Sequence, residues 1–367
     1  MQDRARASFL LRDQARQCAA LGSPLYAALL ERAADDAFAG GPTFALLEAD
    51  PAPGPRGDAL GLRLLAAAHR LALEGRAPAL ALQLPSTRPA EDATASVGAD
   101  AAWAALRDLI AHDQDALRPL VALPCQTNEV GRAAGLAFGL FEAAATTGLP
   151  LSLLEVGASA GLNLRFDRFR YGGGSATWGS PESPVNLEGL WLEAPLHLPA
   201  GLAIGERRGC DRRPVDLATP DGRLSLLASV WADQSERFAR LRGALRLASE
   251  VKAVVDRADV TDWLPQKLAT PRPGRATVVY HSIFEEYLPE ATRRSFHATL
   301  AEAGARATAE APLFWIRLEP FPGNVSYGVR LTRWPGGDER LVATCLAHGS
   351  DVRAVFRTAR GVAEDGM

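Results

Sequence analysis

The sequence predicts an α/β protein: an all-helical domain over residues 1–148, then a doubly wound, mainly parallel sheet over residues 149–367. Three observations predict it. Before residue 149 the apolar residues recur at helical spacing. After it, short apolar runs of strand length alternate with longer segments of helical character. The first such run breaks into a small-residue turn, Gly157-Ala158-Ser159-Ala160-Gly161. Buried strands that alternate with helices belong to parallel strand–helix–strand units.

In the helical part, Ser23-Pro24 reads as a helix start, with Ser as the cap and Pro in the first turn. Leu25, Leu29 and Ala33 follow on one stripe. Leu60, Leu64, Leu65, Ala68 and Leu71 form a second, which Gly75 is placed to stop. Trp103, Leu106 and Ile110 form a third, and a fourth helix runs from near Thr127 to Gly148. Residues 49–58 and 85–98 are rich in Pro, Gly, Ser and Thr and read as loops.

In the sheet part, strands are expected to begin near Leu151, Leu202, Val251, Ala276 and Leu313. The turn after the first strand leads into a helix-compatible segment, LNLRFDRF. Residues 171–184 read as a Gly/Ser/Pro loop inside an insertion at about 171–200. Long helices are expected over about 222–247 and 289–304. Two alternating stretches flank Pro335-Gly336-Gly337-Asp338 and read as a hairpin.

Composition excludes some classes of function. The chain has 367 residues, is 23% charged and carries a net charge of −3, so no nucleic-acid partner is expected. Cys18, Cys125, Cys210 and Cys345 lie far apart, which implies no zinc or redox motif and suits a reducing, cytoplasmic setting. The N-terminus lacks the apolar core of a secretory signal, and no apolar stretch is long enough for a membrane span. A small-molecule substrate is the partner expected. Nothing indicates an oligomeric state.

A turn at the end of a parallel strand needs glycine where backbone must approach a ligand closely. LLEVGASAGLNL supplies one and resembles motif I of class I S-adenosylmethionine-dependent methyltransferases, a Rossmann-like fold. The acid of that motif is Glu155, and Ser159 stands where the middle glycine would be. RRGCDRRPVDL resembles the second-strand signature, with Asp211 as the ribose ligand; VVDRADVTDWLP resembles the third, with Asp259, then Asp262, near the adenine. VVYHSIFEEYL resembles motif IV, which lines the transfer site. More closely, the chain resembles a bacterial family known as domain of unknown function 2332 through SPLYAALLERAADD, QTNEVGRA, LLEVGASAGLNLRFDRFRY, RRGCDRRPVDL and VVYHSIFEEYL.

The resemblance implies S-adenosylmethionine as cofactor. It places Glu155, Gly157, Ala158, Ser159, Gly161, Asn163, Asp211 and Asp259 around that cofactor, and His281, Glu285 and Tyr287 at the reacting centre. Two departures stand out. About 50 residues separate Gly161 from Asp211, where an uninterrupted unit has roughly 20. Only Phe321-Pro322-Gly323-Asn324 and a few neighbours join the fifth strand to the next, which leaves no room for a helix.

Other readings compete at several residues. Gly157–Gly161 also matches the G-x-S-x-G elbow of serine hydrolases, with Ser159 as nucleophile, Asp259 as acid and His281 or His348 as base. A non-catalytic nucleotide or metabolite binder on the same fold is another alternative. Gln126, Thr127, Asn128, Glu129 and Arg132 form a polar cluster: either Thr127 or Asn128 simply caps a helix, or Asn128, Glu129 and Arg132 stand over the cofactor cleft as part of a helical cap domain. Arg207, Arg208, Arg212 and Arg213 read as solvated or ion-paired surface charge, with a patch for an anionic substrate as the lesser reading, and Trp103, Trp231 and Trp315 as core.

Overall fold

The computed structural model describes residues 2–48, 59–88, 98–323 and 326–355. The predicted loops at 49–58 and, for the most part, 85–98 lie outside the described residues, as does Asn324. The chain divides into two compact units, Met1–Thr127 with Asp216–Arg242, and Asn128–Val215 with Gly243–Met367.

The first unit is helical. It contains α1 (Gln2–Ala20), α2 (Pro24–Ala39), α3 (Pro42–Leu47), α4 (Leu60–Leu73), α5 (Pro78–Ala81), α6 (Ala99–His112) and α7 (Gln114–Val121). No strand occurs among its described residues. The next helix, α8 (Ala133–Thr147), belongs to the second unit, so the contact boundary falls before it and not at residue 148. The chain returns to the helical unit with α9 (Pro220–Ser229) and the start of α10 (Ser235–Glu250). These two helices replace the single helix expected over 222–247. Val230 is extended between them, and the break turns Asp233 toward the N-terminus of α2.

Leu11, Leu29, Leu30, Leu64, Leu71, Leu106, Ile110 and Trp231 share one apolar core. His69 is buried within this unit; its Nε2 meets Ser86 Oγ at 2.7 Å and its Nδ1 meets the Ala228 carbonyl at 3.2 Å. A carbonyl only accepts, so the proton sits on Nδ1. Burial pushes the His69 pKa down to about 4.

The second unit is built on β1 (Leu151–Val156) and a short three-stranded sheet made by β2 (Arg170–Gly173), β3 (Ala176–Trp178) and β4 (Asn186–Glu188). Strands β2 and β3 fall in the segment expected to be loop, and β4 in the rest of the expected insertion. Strands of three or four residues are too short to show the apolar alternation by which a sequence could reveal them. The main strands continue with β5 (Ile204–Asp211), β6 (Val254–Arg257), β7 (Ala276–Ser282), β8 (Leu313–Pro320), β9 (Ser326–Trp334), β10 (Asp338–Leu346) and β11 (Arg353–Ala354). Between them lie α11 (Val260–Lys267) and α12 (Glu290–Gly304). The large sheet runs β11-β10-β9-β8-β7-β1-β5-β6. Strands β6, β5, β1, β7 and β8 are parallel, whereas β9, β10 and β11 add antiparallel at one edge.

The first strand starts at Leu151, the fourth at Ala276 and the fifth at Leu313, as predicted. The other two begin two and three residues later, at Ile204 and Val254. The predicted hairpin is β9–β10. One face of the sheet is covered by α8, whose glycines permit close approach. A Cβ on Gly139 would stand 2.8 Å from Ile316 Cγ1. The opposite face holds Leu154, Val156, Val279 and Trp315 against Leu264 of α11 and Phe296 and Leu300 of α12. Among the described residues, no helix is long and apolar enough to cross a membrane.

Candidate functional site

From β1 the chain steps outward to β5 and β6, then returns to the other side of β1 as β7. The connections therefore diverge between the carboxyl ends of β1 and β7, the position at which doubly wound sheets form a crevice. The turn 157–161 follows β1 at that point. Gly157, Ser159 and Gly161 all have left-handed backbones, with φ of 65°, 53° and 68°. Packing adds a second demand for small residues. A Cβ on Gly209 would lie 2.7 Å from Ala158 Cβ, and one on Gly161 would lie 2.7 Å from Val255 Cγ2.

The segment after the turn is a 3₁₀ stretch, Leu162–Arg168, and not the expected α-helix. Arg165 breaks it with φ −110° and ψ 18°. The buried Arg165 guanidinium instead donates to the carbonyls of Gly161 and Val251 at 2.8 and 2.7 Å, tying the turn down. Asn128 and Glu129 also meet this segment: Asn128 Oδ1 accepts the Leu162 N–H at 2.9 Å, and Asn163 Nδ2 donates to the Glu129 carbonyl at 3.2 Å. Arg132 Nε donates to the Ala347 carbonyl at 3.1 Å.

Asp211 ends β5 beside the turn. Its Oδ2 accepts the Ser159 N–H at 2.9 Å and its Oδ1 the Arg213 N–H at 2.8 Å. Asp259 caps α11, taking the N–H and hydroxyl of Thr261, and this backbone bond holds its carboxyl below the usual range. Arg212 approaches it at 3.9 Å. Asp256, which sequence reasoning passed over, forms a two-pronged pair with Arg208 at 2.7 and 2.9 Å and accepts Trp263 Nε1. Arg207 pairs in the same way with Asp167. Ion pairing thus accounts for both Arg207 and Arg208.

Glu155 is buried with Oε2 lacking a hydrogen bond, next to Tyr280 in the β1–β7 register. Burial raises its pKa to about 8, against the pull of Arg165.

A second group gathers at the tips of β7 and β8. His281 is fully buried; Nδ1 bonds Glu319 Oε1 at 2.8 Å, and Trp315 Nε1 donates to Nε2 at 3.1 Å. Indole N–H only donates, so Nε2 holds the lone pair and the proton lies on Nδ1. Glu319 Oε1 also accepts the N–H groups of Phe284 and Glu285 at 2.9 and 3.1 Å. Burial works to raise the Glu319 carboxyl, but these bonds outweigh it and hold it below the ordinary value. Glu285 Oε2 bonds His297 Nε2 at 3.1 Å, while its Oε1 lies 3.6 Å from His281 Nε2. Tyr287 is 73% exposed.

Sequence reasoning missed Glu319, His297 and the role of Phe284. The two groups meet through Phe284, since a Cβ on Gly157 would stand 2.5 Å from its ring. A cavity of about 640 Å³ lies elsewhere in the unit, lined by Arg168, Arg170, Trp178 and Pro199 among others, and it includes none of the sequence-predicted residues.

The fold defines a mixed α/β protein with a large, mainly parallel central sheet whose strand order reverses at β1. Over residues 9–353 the chain matches the model of a family described as uncharacterised proteins conserved in bacteria, domain of unknown function 2332, and it belongs to that family. No curated protein and no solved structure matches it.

Proposed function

We propose that this protein is an S-adenosylmethionine-dependent methyltransferase acting on a small molecule, with the cofactor in the crevice between β1 and β7. The reversal of strand order at β1 carries this reading. Taken in chain order, β1 and β5 to β9 stand in the sheet as 3-2-1-4-5-6, the order of doubly wound dinucleotide-binding sheets, with the last strand antiparallel. In such sheets ligands bind where the order reverses.

Asp211 stands at the tip of the neighbouring strand. Each of its oxygens holds one backbone N–H and keeps a further lone pair for a ribose hydroxyl. Both His281 nitrogens are committed, so His281 acts as a positioning group. Glu285 Oε1 lacks a hydrogen-bond partner and is the better proton acceptor of the two. Isothermal titration with S-adenosylmethionine, S-adenosylhomocysteine and adenosine tests the reading. Binding of the first two is expected. No heat with any of the three would refute it, and binding without methyl turnover on any acceptor would favour the non-catalytic binder.

One observation favours the hydrolase as a second reading. Ser159 has the positive φ of a nucleophile on a strained strand-to-helix turn. Against it, a nucleophile needs a base within hydrogen-bond reach, and Ser159 Oγ is buried without a partner.

A further inference from the structure

We propose that Ile283–Glu285 is a strained latch over the crevice, held shut by Glu319 and opened when a ligand takes the place of the Phe284 ring against Gly157. Only the choice of ligand rests on the function proposed above.

Ile283 has φ +52°, a left-handed backbone that a β-branched residue adopts only under constraint. The constraint is visible at three successive N–H groups. Ile283 donates to the Leu318 carbonyl at 2.8 Å, and Phe284 and Glu285 donate to the single oxygen Glu319 Oε1. Left-handed Ile283 followed by Phe284 at φ −120° and ψ −41° forms a turn whose successive N–H groups, those of Phe284 and Glu285, face one oxygen, a cradle of the kind that binds anions. The anion in the cradle is the protein's own Glu319, which His281 also grips.

This cradle directs the Phe284 ring onto Gly157, edge-on to Phe296 with centroids 5.9 Å apart. Gly157 is itself exposed, so the ring closes on a point that the crevice leaves open to solvent. Strain in the shut form lowers the cost of opening, and a ligand that displaces the ring releases it.

Two arms test this in the full chain. The first measures amide hydrogen exchange at Phe284 and Glu285 without ligand. Ile283→Asn keeps a side chain but tolerates the left-handed region, so exchange should slow several-fold. Glu319→Gln weakens the cradle, and exchange should quicken. The second arm titrates S-adenosylhomocysteine. Affinity should fall several-fold in Ile283→Asn, whose shut form is favoured, and rise in Phe284→Ala. Unchanged or faster exchange in Ile283→Asn would overturn the latch, as would weaker binding in Phe284→Ala, which would make the ring a platform. If wild type binds no S-adenosylhomocysteine, the cofactor assignment fails while the exchange arm still decides the latch.

Discussion

Asp233 caps α2 from 208 positions away. Its Oδ2 accepts the Leu25 N–H at 3.0 Å, and its Oδ1 accepts the Ser23 hydroxyl at 2.5 Å. Ser23 occupies the cap position, as its sequence context predicted, but makes no cap bond of its own. Asp233→Ala removes the capping acceptor and leaves a fully buried hydroxyl unpaired. The expected loss is about 2–3 kcal/mol. Ser23→Ala leaves Asp233 its bond to Leu25 and should cost about 1 kcal/mol. Urea denaturation of both variants checks the ranking; equal losses would mean that the bond from Leu25 to Asp233 adds nothing beyond that of the Ser23 hydroxyl.

That pair also marks where sequence reading stops. Ser23-Pro24 is a local signal and gave the helix start correctly, but the partner across the chain has no local signature. The same contrast holds in the sheet. LSLLEV and ATVVYHS are apolar because both faces of their strands are covered, so their starts were legible. Glu319 closes another apolar strand, LFWIRLEP, yet its role exists only through His281 and the N–H groups of residues 284 and 285. The turn at 157–161 was legible from its small residues. The 3₁₀ stretch that follows was not, because Arg165 leaves the helix for carbonyls that the fold alone brings near.

Glu155 should make stability fall as pH rises. Its carboxyl titrates near pH 8 when folded, so the folded state keeps a proton that the unfolded chain gives up above its ordinary value of 4.5. The stabilisation is complete below about pH 4.5 and is lost progressively as pH climbs toward 8. Glu155→Gln keeps the shape without the charge. It should flatten this slope and leave the variant more stable than wild type at pH 8, by about 2 kcal/mol or more. Denaturant midpoints measured from pH 5 to about pH 9 decide it. A wild-type profile parallel to that of the variant would show that Glu155 is ionised in the fold.

Asp211 is expected to act on both the turn and the ligand. In Asp211→Ala the N–H groups of Ser159 and Arg213 lose their acceptor, which should destabilise the fold by about 1–3 kcal/mol. Asp211→Asn retains one acceptor oxygen and should lose less. Both should weaken S-adenosylhomocysteine binding at least tenfold, or about 1.4 kcal/mol, because the amide oxygen lacks the charge that strengthens bonds to the ribose hydroxyls. Titration of Asp211→Asn is the cleaner measurement, since its fold is better preserved. Wild-type affinity in that variant would remove Asp211 from the ligand site.

Ser159 separates the transferase from the hydrolase. Its left-handed backbone costs a residue with a Cβ roughly 1–2 kcal/mol, which glycine would not incur. Ser159→Gly should therefore equal or exceed wild type in stability, even after allowing for the greater chain entropy that glycine adds to the unfolded state. In the transferase reading the hydroxyl has no chemical task, so the variant should also bind S-adenosylhomocysteine as wild type does. Ser159→Leu should not bind, because position 159 is 4% exposed in a left-handed turn, and a larger side chain there is expected to displace the backbone that approaches the ligand. In the hydrolase reading the hydroxyl is the nucleophile. Wild type would then be labelled by a fluorophosphonate probe, and Ser159→Gly would be neither labelled nor active. The expected result is no label on wild type and intact binding in Ser159→Gly. Labelling at Ser159 that disappears in the glycine variant would assign the crevice to acyl transfer.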